Sequence, residues 1–141
     1  MDAVRRERAT EATKEEFFGT KFKYGRNDCA QVARKHAIRC GCAFNSSEGG
    51  NYSTPLGAKR ALTRMGYENL RDLMDKNYEV IAPARALPGD IIELEGDEVI
   101  GTLVVYLGNQ KALSFHETQD AMCIVQILEP ARAWRMGKKI G

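Results

Sequence analysis

From Pro88 onward the chain is written in short apolar runs rich in β-branched residues, each bounded by a turn pair. Pro88-Gly89-Asp90 leads into IIELE, and Gly96-Asp97 into VIGTLVVYL. Gly108-Asn109 precedes ALSFHE, and MCIVQIL follows. Runs of this length and composition are strands, and turn pairs of this kind join antiparallel neighbours. VIGTLVVYL is almost wholly apolar, so it is expected as a central strand buried on both faces. The chain closes on EPARAWRMG, read as a short helical turn that carries the single Trp, Trp134.

The first half is punctuated differently. Residues 3–19 are charged, have few apolar positions and end at Gly19, which predicts an exposed first helix. Asn27 or Asp28 is the N-cap of the next helix, because a short side-chain oxygen can accept from first-turn amides. That helix runs to about Arg39 and is stopped by Gly41. Residues 43–53 (AFNSSEGGNYS) form a loop. Thr54-Pro55 opens a third helix that ends at Gly66, and residues 68–76 make a short fourth. Helices followed by strands predict an α+β fold, with N-terminal helices packed on a C-terminal antiparallel sheet or half-barrel. A chain of 141 residues supports one ordinary core. The expected organisation is an N-terminal helix or arm over 1–19, one domain over 20–136 and a basic tail over 137–141.

A formal charge of +2 gives no argument for a nucleic-acid partner. Basic residues gather at the ends: Arg5, Arg6, Arg8 and Lys14, then Arg132, Arg135, Lys138 and Lys139. They read as solvated ends or as a docking surface. No run approaches the ~20 apolar residues of a membrane span, and the N-terminal residues lack the apolar segment of a signal peptide. Four cysteines do not make a disulfide scaffold. Reduced thiols are expected, in a cytosol or a particle assembled there.

Cys29, Val32, Ala33, His36, Ala37 and Cys40 fall on one stripe of the second helix, so Cys29 points toward whatever that helix packs on. Free first-turn amides and the helix dipole favour a thiolate at such a position. Asp28 opposes this if its charge is close. Cys29 is therefore either a small buried apolar side chain or a nucleophile that needs a base and an orienting group. His36 lies about 10 Å further along the same helix, beyond hydrogen-bond reach, and is expected at the core edge or against a partner. Zinc ligation by Cys29, His36, Cys40 and Cys42 is disfavoured, because Cys29 and Cys40 are about 16 Å apart on a continuous helix. Cys40-Gly-Cys42 is an awkward redox ring, and Cys123 is expected in the core. Asp90 and Glu93 read as turn and edge acids. No cofactor and no metal are expected.

The order of YGRNDCAQVA (24–33), LPGDIIEL (87–94) and GTLVVYLGNQ (101–110) resembles the NlpC-type cysteine peptidases, papain-like α+β folds that cleave cell-wall peptides. YSTPLGAKRAL (52–62) and Arg132-Ala133-Trp134 add a likeness to a small phage-encoded tail and tail-assembly branch, over roughly residues 17–136. The resemblance implies that Cys29 stands at the nucleophile position and Thr102 at the position of the usual base histidine. A threonine hydroxyl does not titrate near neutrality and cannot replace that base. His116, on the following strand, is the candidate for a displaced base.

What the resemblance implies is a virion protein of the tail or neck, assembled in the host cytoplasm. Its catalytic site is degenerate, and it docks in multiple copies on tail or connector proteins. Loop 43–53, the basic ends and the region of Trp134 are the expected contacts. The alternative is an active peptidoglycan endopeptidase, with Cys29 as nucleophile and His116 as base, acting on a peptidoglycan peptide during DNA entry.

Overall fold

The computed structural model describes residues 1–96, 100–115 and 120–140. Four helices come first: α1 (Ala3–Phe17), α2 (Cys29–Arg39), α3 (Pro55–Met65) and α4 (Leu70–Asn77). Six strands follow: β1 (Val80–Ile81), β2 (Ile91–Leu94), β3 (Thr102–Gly108), β4 (Lys111–Phe115), β5 (Met122–Gln126) and β6 (Pro130–Trp134). They form one antiparallel sheet in the order β1-β6-β2-β3-β4-β5. The α+β arrangement expected from the order of textures is the one observed.

Local chemistry accounts for the element ends. Asp28 caps α2 by accepting from the Gln31 amide, and Thr54 caps α3 by accepting from Gly57, with Pro55 in the first turn. Gly66 closes α3 in the left-handed conformation at φ +92°. The β3–β4 hairpin turns on Asn109 and Gln110, both with positive φ (52° and 60°). A two-residue turn of that type matches the twist of paired strands.

β3 lies inside the sheet, and Leu103, Val104 and Val105 are all buried. Alternation along the strands divides the core. Ile91, Leu103, Val105, Leu113 and Trp134 join the helices in the main cluster, whereas Ile92, Val104, Ala112 and Ala133 meet Ile127 on the other face.

Three expectations are corrected. EPARAWRMG is not a helical turn, because β6 occupies Pro130–Trp134 and is inserted between β1 and β2. Pro130 is tolerated as the first residue of a strand, and Ala133 and Trp134 then fall on opposite buried faces. Trp134 is fully buried rather than available to a partner, and its indole N–H donates to Asp75 Oδ1 at 2.9 Å. The first helix is not simply exposed. Ala9, Thr10, Thr13 and Phe17 are buried, and α1 packs on α2. The Thr10 hydroxyl bonds the Arg6 carbonyl of its own helix and the Thr13 hydroxyl meets His36 of α2, which lets polar side chains stand in a buried stripe.

Candidate functional site

Cys29 is the first residue of α2, half-buried in a cavity of about 160 Å³. Phe22, Tyr24 and Phe115 supply aromatic walls, and Thr102 and Ser114 supply hydroxyls. Phe22 meets Tyr24 and Phe115 edge to face, with centroids 4.7 and 5.2 Å apart. The Cys29 sulfur approaches the Gly101 carbonyl at 4.0 Å.

The helix tip is fixed by Asp28, which is 4% exposed. One carboxylate oxygen accepts from the Gln31 amide at 2.8 Å. The other accepts from the Gly25 amide and from the Tyr52 hydroxyl, both at 2.7 Å. Burial, and then the Asp28 charge, push the Tyr52 hydroxyl upward, so it stays protonated and donates. This contact ties loop 43–53 and its YST sequence to the Asp-Cys turn. Gly25 is required there: its φ is +84°, and a Cβ would stand 1.9 Å from the Tyr52 carbonyl oxygen.

Of the residues named from sequence, Thr102 is brought to Cys29. His116 lies outside the described residues. Ser114, also in the cavity wall, was missed. The available signal was its place on β4, where alternate residues share a face and it stands two positions before His116.

His36 is not at the core edge but fully buried. Its Nε2 lies 2.7 Å from the Gly89 carbonyl, an acceptor, so Nε2 carries the proton. Nδ1 then accepts from the Thr13 hydroxyl at 2.7 Å, and that oxygen accepts from Arg39. The ring therefore joins α1, α2 and the turn before β2. Burial first, together with the charges of Arg39 and Arg6, pushes its pKa down from 6.5 to about 4, against the opposing Gly89 hydrogen bond and Asp90 charge.

A histidine with a lowered folded pKa contributes its stability fully above the unfolded value and loses it as pH falls through the folded one. A drop from 6.5 to about 4 corresponds to about 3 kcal/mol. Unfolding free energy followed from pH 7 to pH 4 should fall by that much more in the wild type than in His36→Gln. Equal pH slopes would rule the mechanism out.

Asp90 is the acid of the turn before β2, as expected, but Glu93 is not an edge acid. Asp90 is fully buried. Its Oδ1 accepts from Arg6 Nη1 and the Met136 amide at 2.9 Å each, and its Oδ2 accepts from the Leu87 amide at 2.8 Å. Arg135 Nε stands 3.2 Å from Oδ2 as an ion pair without hydrogen-bond alignment. Glu93, 8% exposed on an interior strand, pairs with Arg71 at 2.6 Å. Two basic residues of the chain ends, Arg6 and Arg135, therefore pair with a buried acid.

Cys40 and Cys42 are buried; burial pushes the Cys40 thiol up to about 12 and raises that of Cys42. Cys123 is half-buried rather than fully in the core. Among the described residues no group of three or more His, Cys, Asp or Glu side chains is arranged to hold a metal.

Solved structures of NlpC/p60 proteins share this fold. NlpC1 of Trichomonas vaginalis superposes with a TM-score of 0.65 at 16% identity, over 96% of this chain and 45% of that one. RipD of Mycobacterium tuberculosis, described as a non-catalytic NlpC/p60 domain protein adapted to peptidoglycan binding, gives 0.50 at 14%, over 96% and 98%. The peptidoglycan hydrolase RipB of the same organism gives 0.53 at 15%, over 96% and 68%. The chain spans less than half the length of NlpC1, of NlpC2 from the same source and of a Staphylococcus aureus lipoprotein-like member. No curated protein matches it. A family model matches residues 3–136, nearly the whole chain. The chain belongs to the family described as Domain of unknown function (DUF6950), and its fold is that of the NlpC/p60 domains.

Proposed function

We propose that this is a structural, non-catalytic NlpC/p60-fold protein of a bacteriophage particle, seated in the tail or neck and docked on other tail or connector proteins. The observation that supports the loss of catalysis is Thr102. The start of β3 carries it into the wall of the Cys29 cavity, and its hydroxyl cannot serve there as a general base. RipD is precedent for this fold without catalysis. Placement in a tail rests on the likeness of residues 24–33, 52–62 and 132–134 to the phage branch. Exposed Phe18, Ile38 and Leu56, each more than half accessible, offer contact surface. The aromatic-walled cavity remains a concave surface for a partner segment or a peptidoglycan peptide.

One observation favours a second reading, a cysteine hydrolase using Cys29 and His116. Cys29 is half-buried in an open cavity at a helix N-terminus, where first-turn amides favour a thiolate. Purified cell walls incubated with wild type and Cys29→Ala decide between the two. The expected result is no peptide release above background by either protein. Release by wild type that Cys29→Ala abolishes would overturn the non-catalytic reading. Absence of the protein from purified phage particles would overturn the placement in the tail.

A further inference from the structure

A second, larger hollow of about 350 Å³ opens between α2, α3 and loop 43–53. Among the described residues, Ala30 and Ile100 line both this hollow and the Cys29 cavity. Buried Phe44, Leu62 and Leu73 line its apolar part, and the less buried Arg34, Ser47 and Asn51 line its polar part. The walls are tied in place. Arg64 donates twice to the Gly49 carbonyl, at 2.6 and 3.2 Å, and Tyr52 is bound to Asp28. A Cβ on Gly49 would come 2.7 Å from Met65 Sδ, so this loop lies close on α3. A hollow so braced needs little ordering to accept a ligand.

Arg34 supplies the charge. Its Nε donates to Gln31 Oε1 at 2.9 Å, and no carboxylate pairs with it among the described residues, whereas Arg71 and Arg132 each hold one. An apolar recess beside an arginine without an acid matches a group that is apolar and anionic within one residue. The volume is at the lower end of the roughly 300–1,000 Å³ of ligand pockets and suits a residue or two. We propose that the hollow receives the C-terminal end of a partner protein, with an apolar last side chain in the recess and the terminal carboxylate on Arg34. The proposal deepens the docking reading and rests on it for the nature of the partner.

The probe is acetyl-Gly-Gly-Leu, titrated as the free acid and as the C-terminal amide while backbone amide shifts are followed by NMR. Saturable shifts are expected at Arg34, Ser47, Asn51 and Ala61. The acid should bind about tenfold more tightly than the amide, the scale of a charge-assisted hydrogen bond. Arg34→Gln should erase that preference, and Ala61→Leu, which fills the recess, should weaken both ligands. Equal binding of acid and amide, shifts centred on Cys29, or no saturable shift would each overturn the proposal. Octanoate binding more tightly than the peptide acid would also overturn it, in favour of a free carboxylic acid. Arg34→Gln leaves Cys29 intact, so cell-wall hydrolysis by wild type would defeat the non-catalytic reading without producing any of these outcomes.

Discussion

Asp90→Ala should lower the unfolding free energy by about 3–5 kcal/mol, the scale of breaking a buried ion pair from one side. The carboxylate is fully buried and is held by Arg6, Arg135 and the amides of Leu87 and Met136. Without it, the Arg6 guanidinium, whose side chain is 13% exposed, loses its counter-charge in a site poor in water. Two amides lose their acceptors as well. Asp90→Asn keeps an acceptor for one amide and should cost less. Domains of this size have about 5–15 kcal/mol in total, so the alanine variant should stand near the edge of folding. Guanidinium unfolding of both variants measures it. A loss below about 1 kcal/mol for Asp90→Ala, the scale of an exposed pair, would mean that the cluster does not hold the chain ends to β2.

Trp134→Ala should cost about 3–5 kcal/mol, as large-to-small core changes do. The indole is fully buried among the main-cluster residues, and its N–H satisfies Asp75 beside Arg132. Trp134→Phe retains much of the ring volume but leaves that acceptor short of a donor, so it should lose less. Thermal unfolding separates this from a surface role: an exposed tryptophan at a docking face would change stability by no more than about 0.5 kcal/mol on truncation.

These two residues show where reading the chain succeeds and where it stops. Trp134 lies in a five-residue strand that begins with proline, and its first neighbour, β1, is only two residues long. So short a period-2 pattern cannot be told from a turn until β2 is laid beside it. Asp90 was legible as the acid of a turn, because Leu87 donates to it from three residues away. Its burial was not legible, because Arg6 reaches it across 84 residues of sequence. The Cys29 site was half legible. The cap, the thiol and Thr102 could each be placed on an element. The contact of Tyr52 with Asp28 joins two segments 24 residues apart and needed coordinates.

By itself the sequence determined the order of the four helices and of β2 to β5, the caps of α2 and α3, the glycine stops and the central position of β3. Each follows from hydrogen bonds and apolar periodicity within a few residues of chain, where the backbone leaves few alternatives. Only the tertiary structure decided that β6 is a strand, that Asp90 and His36 are buried joints, and that Ser114 shares a cavity with Cys29. Those outcomes depend on which distant groups meet once water is excluded, and a buried polar atom takes whatever partner the packing brings to it.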